Sequence, residues 1–385
     1  MVDIKILAIV AVVAVVGAGC AIAFTHNNGG SSDSGDESPA FTIKQTYDGT
    51  NYETLSLKKC DRLVGTSTIY MTSIYYLLCQ KYNEVPYSDA ALNNKDLVNE
   101  FQFVVAGGTP LNYIKDNTEL YPYFDSSKYF EGDSASLKSY DSERMMKNVA
   151  DAVGKENYRV LFMGSYVTSA SMAADYVAVR ANVKSAGAVE AVFPETTDFL
   201  SSFAGIQLVA YLFGYEKYAD ALISGLQKDL YNVYKTVNAS EKYGNLKCYW
   251  EGNSGKSVKM SGMSKSIIDF LGWNSIYSKS VQQDTEDIIS KQPDVIIFYT
   301  NDTRSDADKG LTSYTTWDYT LINVDMGGIT ATPKFVPSIV DMCKAVYGPV
   351  SDTYTLEQAR ADTTFWNTYA GFTSLVTLVT EESAS

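Results

Sequence analysis

Residues 285–299, TEDIISKQPDVIIFY, constrain the possible fold more than any other stretch of this chain. Ile288 and Ile289 provide a short apolar helical face. Pro293 ends that helix, because proline has no amide hydrogen to donate and restricts the residue before it. The run that follows, VIIFY at 295–299, is β-branched and aromatic with no polar alternation. A strand with one solvated face alternates, whereas a strand covered on both faces reads as this one does. A helix feeding such a strand is half of a βαβ unit, so the segment predicts a parallel sheet with helices on its faces.

The same alternation recurs along the chain. Two alternating runs around Asp48-Gly49 (residues 41–57) predict a hairpin, since Asp-Gly suits a tight turn. A short strand at 62–65 (RLVG) leads into a helix with Ile69, Ile74, Leu77 and Leu78 apolar. Helices at 142–155 and 173–183 alternate with strands at 158–163 and 188–194. Then comes an uninterrupted helix at 216–237. Its apolar residues Ala219, Leu222, Ile223, Leu226, Leu230, Val233 and Tyr234 form one stripe, and it would span roughly 33 Å. Beyond it a second set follows: strands at 245–250, 295–299 and 320–325, and helices at 264–271, 337–347 and 356–369. This pattern predicts an α/β chain of two Rossmann-like lobes joined by one long bridging helix. The divisions are residues 41–215, 216–237 and 238–385, preceded by a membrane or signal segment (1–24) and a tether (25–40).

The segment 1–24 has Lys5 followed by an unbroken apolar run from Ile6 to Phe24. At helical rise it reaches about 28 Å, close to one bilayer core. It reads as an uncleaved anchor, a cleaved secretory signal, or a lipoprotein signal with Cys20 as the lipidated residue after Gly17-Ala18-Gly19. All three place the remainder outside the cytoplasm, held at or released from the cell membrane. The Gly/Ser/Asp-rich stretch that follows is a flexible linker by composition.

Composition removes several functions. Net charge is −14 and no basic stripe is present, which disfavours nucleic acid. The single histidine, His26, lies in the tether, so the body cannot build a histidine-rich metal site, a Ser-His-Asp triad or a Cys-His dyad. No Walker sequence and no GxSxG is present, and the chain is not read as an enzyme. Five cysteines (Cys20, Cys60, Cys79, Cys248, Cys343) lack CxxC spacing. The four outside the apolar segment form two disulfides or remain buried thiols. Asn238-Ala-Ser and Asn301-Asp-Thr are N-glycosylation sequons.

The 285–299 block resembles the "E…PDVII" element of the class III solute-binding proteins, which deliver ferric siderophores, haem or cobalamin to ABC importers. The resemblance covers nearly all of residues 41–372, in order. The Asp48-Gly49 hairpin is similar to that family's opening hairpin, and CDRLVG (60–65) to its first strand. Residues 191–223 resemble the stretch entering the bridging helix, and SIIDFLGWNSIY (266–277) resembles the "lldllGG.Ni" element. The chain departs from the family at Gly272-Trp273, where the family has Gly-Gly, and in a tyrosine-rich insertion at 87–140.

The resemblance implies a rigid monomeric receptor with no cofactor of its own. It would bind one metal chelate between its lobes and dock onto a permease and its ATPase. It also implies that Glu143 and Glu286, each in the first turn of a helix, pair with permease arginines; first-turn acids also stabilise helix starts without any partner. Open α/β sheets bind ligands beyond strand carboxyl ends. That rule selects Thr66, Ser67, Tyr70, Ser165 and Tyr166 in the first lobe. In the second it selects Trp250, Glu251, Trp273, Asn274, Tyr299 and Asn301, whose aromatic faces suit a flat or catecholate ligand. A surface adhesin or envelope interaction protein that retains the fold is the alternative, with the insertion as its contact surface.

Overall fold

The computed structural model describes residues 41–46, 52–57, 63–65, 103–105, 160–164, 189–193, 198–213, 216–252, 255–300, 302–324 and 333–378. Strands β1 (Phe41–Thr46), β2 (Tyr52–Leu57), β3 (Leu63–Gly65), β4 (Phe103–Val105), β5 (Val160–Gly164) and β6 (Val189–Phe193) come first. Helices α1 (Phe199–Phe213) and α2 (Glu216–Asn238) follow, then β7 (Leu246–Trp250), α3 (Gly262–Phe270) and β8 (Trp273–Ser275). The chain continues through α4 (Thr285–Lys291), β9 (Val295–Tyr299), β10 (Thr320–Val324), α5 (Phe335–Tyr347), α6 (Leu356–Ala361) and β11 (Val376–Leu378).

Among the described residues, three sheets result. Two are four-stranded, ordered β4-β3-β5-β6 and β10-β9-β7-β8, and the third is β11-β1-β2. All pairings in the two larger sheets are parallel. Counted along the chain within its own sheet, each four-stranded set has the order 2-1-3-4. The two halves are therefore topological repeats, and each reverses its winding direction between its first and third strands. In the first sheet that crevice lies between β3 and β5; in the second it lies between β7 and β9.

The α4–β9 block forms for the reasons its sequence suggests. Asp284 caps α4, its Oδ1 accepting from the amides of Glu286 (3.1 Å) and Asp287 (3.3 Å). Gln292 leaves the helix at φ 45°, before Pro293. All five residues of β9 are buried. Alternate residues of the sheet enter different layers. Cys248, Trp250, Ile297 and Tyr299 join the core that contains the stripe of α2, while Tyr249, Ile296 and Phe298 pack with Ile288 of α4 and Tyr314.

In α2 six of the seven predicted stripe residues are buried, Tyr234 is half-buried, and Gln227, Tyr231, Asn232 and Val237 join the buried face. Helix α1 escapes a periodicity reading because it is apolar nearly all round, as a helix enclosed by protein must be. Phe203, Val209, Ala210 and Leu212 are wholly inaccessible. Asp198 starts α1 with a reciprocal cap, its Oδ1 accepting from the Ser201 amide at 2.8 Å while Ser201 Oγ accepts from the Asp198 amide at 3.1 Å. Phe199 then sits between Phe270 of α3 and Phe335 of α5, at 5.4 and 5.2 Å between ring centroids. Each fully buried ring of this kind contributes about 2–3 kcal/mol.

One expectation is corrected. The helix expected at 356–369 is broken at Asp362, whose ψ of 88° is not helical. Its carboxylate instead caps the next turn through the Phe365 amide (3.1 Å) and accepts from Tyr231 Oη of α2 (3.3 Å). A π-helical turn, Trp366–Ala370, follows. The last described strand, β11, pairs antiparallel with β1 (Ile43 opposite Val376), returning the chain to the opening hairpin. The tyrosine-rich insertion contributes edge strand β4 to the first sheet. The Asp48-Gly49 turn, the 1–24 segment, the tether and the helices expected at 142–155 and 173–183 lie outside the described residues. Among those described, no helix is long and apolar enough to cross a membrane.

Candidate functional site

A winding reversal leaves a crevice at the carboxyl ends of the two strands that flank it, because the following connections diverge to opposite faces. In the second sheet those strands are β7 and β9, and their last residues are Trp250 and Tyr299. The two rings meet edge to face with centroids 6.4 Å apart. Trp250 is 1 % exposed and Tyr299 8 %. Burial pushes the Tyr299 hydroxyl up to about 12, against a smaller opposing pull from the neighbouring indole, so it remains a neutral donor at physiological pH. The indole N–H of Trp250 itself is buried and completes no hydrogen bond of acceptable geometry.

Glu251 follows Trp250 and therefore points into the opposite layer. It is completely buried. Arg304 Nη2 lies 2.5 Å from its Oε1, and Tyr249 Oη donates to its Oε2. The same guanidinium grips Asp302, with Nη2 2.5 Å from Oδ2 and Nε 3.0 Å from Oδ1. Burial raises the Glu251 pKa while Tyr249 and Arg304 oppose that shift. Hydrogen bonds from Arg304 hold Asp302 below the usual carboxylate range. Lys309 adds a cation, donating to the Asp302 carbonyl at 3.0 Å. Both carboxylate oxygens of Glu251 are thus engaged inside the protein, and the geometry makes it a clasp between the segments after β7 and β9 rather than a ligand contact. Asp302 and Arg304 escape a sequence reading because nothing local in D-x-R announces a partner on another strand.

No family model matches the sequence, and no curated protein does. Solved structures do match. A TroA-like periplasmic binding protein, FepB, from Veillonella parvula superposes with a TM-score of 0.54 at 16% identity, over 88% of this chain and 100% of that one. A periplasmic solute-binding protein from Veillonella parvula DSM 2008 gives 0.54 at 14% identity, over 89% and 95%. A further periplasmic binding protein from the same strain gives 0.50 at 13%, over 81% and 99%. The chain has the mixed α/β fold of these periplasmic binding proteins.

On this binding-protein fold the remaining site candidates separate. Trp273 and Asn274 begin β8 and pair with Leu246 and Lys247, so they lie at the amino end of the sheet. This corrects their expected place beyond the strand carboxyl ends. Trp273 is a core residue, 4 % exposed, donating from Nε1 to Tyr347 Oη at 3.0 Å, which donates in turn to the Leu271 carbonyl. Asn274 is exposed and donates to the Gly244 carbonyl at 2.7 Å.

Glu286 is exposed in the first turn of α4. That turn lies at the carboxyl-end pole, since the neighbouring Gln283 amide donates to the Gly255 carbonyl beyond β7 at 2.7 Å. Cys248 and Cys343 are free and buried, and burial pushes the Cys343 thiol up to about 12. Thr66, Ser67, Tyr70, Ser165, Tyr166, Asn301, Glu143 and Cys20 lie outside the described residues. In chain order, Thr66 and Ser67 follow β3, and Ser165 and Tyr166 follow β5. Those are the two strands beside the reversal in the first sheet.

Proposed function

We propose that this chain is the extracytoplasmic substrate-binding protein of an ABC importer. It captures a chelated metal, as a ferric siderophore, haem or cobalamin, and delivers it to the permease. The observation that carries the reading is the aromatic pair Trp250–Tyr299 at the β7/β9 crevice, repeated in topology by the β3/β5 crevice of the first sheet. One ligand held between two such crevices would touch Tyr299, Trp250 and the segments that begin at Thr66 and Ser165. A partly anionic chelate suits this place: the phenol of Tyr299 supplies a neutral donor at the strand tip, and the buried Trp250 ring backs it.

The lobes are residues 41–215 and 238–385, and α2 is the bridge between them. One long helix resists bending, so the receptor closes little on its ligand. The apolar segment at 1–24 holds the body at the outer face of the membrane, through the span itself or a lipid on Cys20, with 25–40 as tether. Glu286 and Glu143 are the acids that meet the permease. The resemblance in sequence and the binding-protein fold support this reading together.

The test is direct. Protein isolated from membranes of its own source should carry one chelate per chain, seen as a native mass increment and a visible absorption band. Ligand-stripped protein should bind haemin, a ferric catecholate or cyanocobalamin with quenching of tryptophan fluorescence. A ligand-free native mass together with no response to any of the three would overturn the reading.

A further inference from the structure

We infer that Asn238 carries an N-linked glycan and that Asn301, the other sequon, does not. The structural argument is one of poles. Asn238 is the last residue of α2 and is exposed, as are Ala239 and the turn that follows it from Glu241. Its side chain has one commitment, Nδ2 donating to the Tyr234 carbonyl at 2.8 Å on the surface of the last helical turn. The second N–H of the amide is free. Ser240, which completes the sequon, accepts at its hydroxyl from the Lys242 amide (3.2 Å) within the same turn.

That turn feeds β7 at Leu246 and therefore occupies the amino end of the second sheet. Gly244 is bonded there to Gly272 (2.9 Å), just before β8. Trp250, Tyr299 and Glu286 belong to the opposite, carboxyl end, and five-residue strands keep the two ends roughly 15 Å apart. A bulky sugar on Asn238 leaves both the β7/β9 crevice and Glu286 clear. In chain order Asn301 comes two residues after Tyr299, next to Thr300, whose amide is bonded to the Val324 carbonyl at 3.0 Å. A glycan attached that near to Tyr299 in the chain would crowd the proposed crevice.

The modification is a group transfer from a polyprenyl-phosphate-linked oligosaccharide. Nδ2 of Asn238 bonds to the anomeric carbon, the bond from that carbon to the phosphate oxygen breaks, and the lipid phosphate departs with the electron pair. One amide proton is lost to a base of the transferase. The inference rests on the export proposed above, because such donors serve the outer side of the membrane.

Trypsin separates the two sequons into different peptides, 236–242 (TVNASEK) and 292–304 (QPDVIIFYTNDTR). In protein from its own source, the first should bear a hexose- or hexosamine-containing mass increment and the second should appear at its plain mass. An Asn238→Gln chain should lose the increment and keep its titration with haemin, ferric catecholate or cyanocobalamin. Surface protease digestion of the same intact cells separates the two readings. Surface-accessible protein with a bare Asn238 overturns the glycan and leaves export standing, while a cytosolic chain overturns both. A glycan found on Asn301 overturns the polar argument.

Discussion

Replacing Arg304 with methionine should reveal what the Glu251 clasp does. The substitution keeps most of the stem volume and removes the guanidinium from a carboxylate that is completely buried. Breaking a buried pair from one side leaves an uncompensated charge and costs about 3–5 kcal/mol. The Arg304 side chain is 23 % exposed, so water already screens part of the interaction, and a loss of about 2–4 kcal/mol is expected. Urea unfolding followed by tryptophan fluorescence should report it as a lower midpoint with unchanged slope.

Two controls sharpen the measurement. Glu251→Gln removes the charge while keeping a partner for Tyr249, so adding Arg304→Met to it should cost less than Arg304→Met alone, the remainder reporting the same guanidinium's grip on Asp302. The deficit should also shrink on acidification. Burial holds the folded-state pKa of Glu251 above its unfolded value. Once Arg304 is gone the folded protein binds a proton there before the unfolded chain does, and it gains relative stability as pH falls through that raised value. A loss below about 1 kcal/mol, equal at pH 5 and pH 7, would refute the buried-charge argument, since a stranded buried ion carries a larger penalty that protonation relieves.

Asp229 of α2 is raised to about 6 by burial, with Lys344 of α5 opposing. Its charge is a penalty that grows as pH rises from about 4 to 6 and is complete above that; Asp229→Asn should therefore stabilise by about 1–2 kcal/mol at pH 7, after discounting for partial exposure, and by almost nothing at pH 4. Gly272 has φ +69°, and a Cβ there would strike the Tyr243 ring. Gly272→Ala should cost about 1–2 kcal/mol in thermal or urea unfolding, and Tyr243→Ala should restore the steric part but not the backbone part. If these two acids have the docking role proposed for them, Glu143→Ala with Glu286→Ala should abolish uptake in reconstituted vesicles at nearly unchanged ligand affinity, because acids of that kind orient a basic partner. Normal transport by that double variant would reduce both residues to helix-start acids.

What could be read from the residues, and what could not, follows the range over which each interaction acts. The α4–β9 block is legible because a proline stop and an unbroken VIIFY run are local statements. The stripe of α2 is legible because one face of it meets the other elements and the other meets water. Helix α1 shows no stripe because protein surrounds it, so its sequence looks the same in every direction. The break at Asp362 is settled by a hydroxyl from Tyr231, on a helix far away in sequence, and no property of 356–369 contains that information.

The site divides in the same way. Strand order along the chain was enough to name the tips of the β7 and β9 strands. It could not say that Trp273 enters β8 at the opposite pole, since that depends on register with Leu246. Nor could it separate two neighbours at one tip. Trp250 and Glu251 are adjacent, yet the pleat sends the first into the layer shared with Tyr299 and the second toward Tyr249, whose hydroxyl it accepts. One residue's difference in phase packs Trp250 into the layer of Tyr299 and makes Glu251 a clasp in the other. A ligand surface built on strand tips is thus set by which parity of each strand faces the crevice, and substitutions at Trp250 and Tyr299 should move affinity where those at Glu251 move stability.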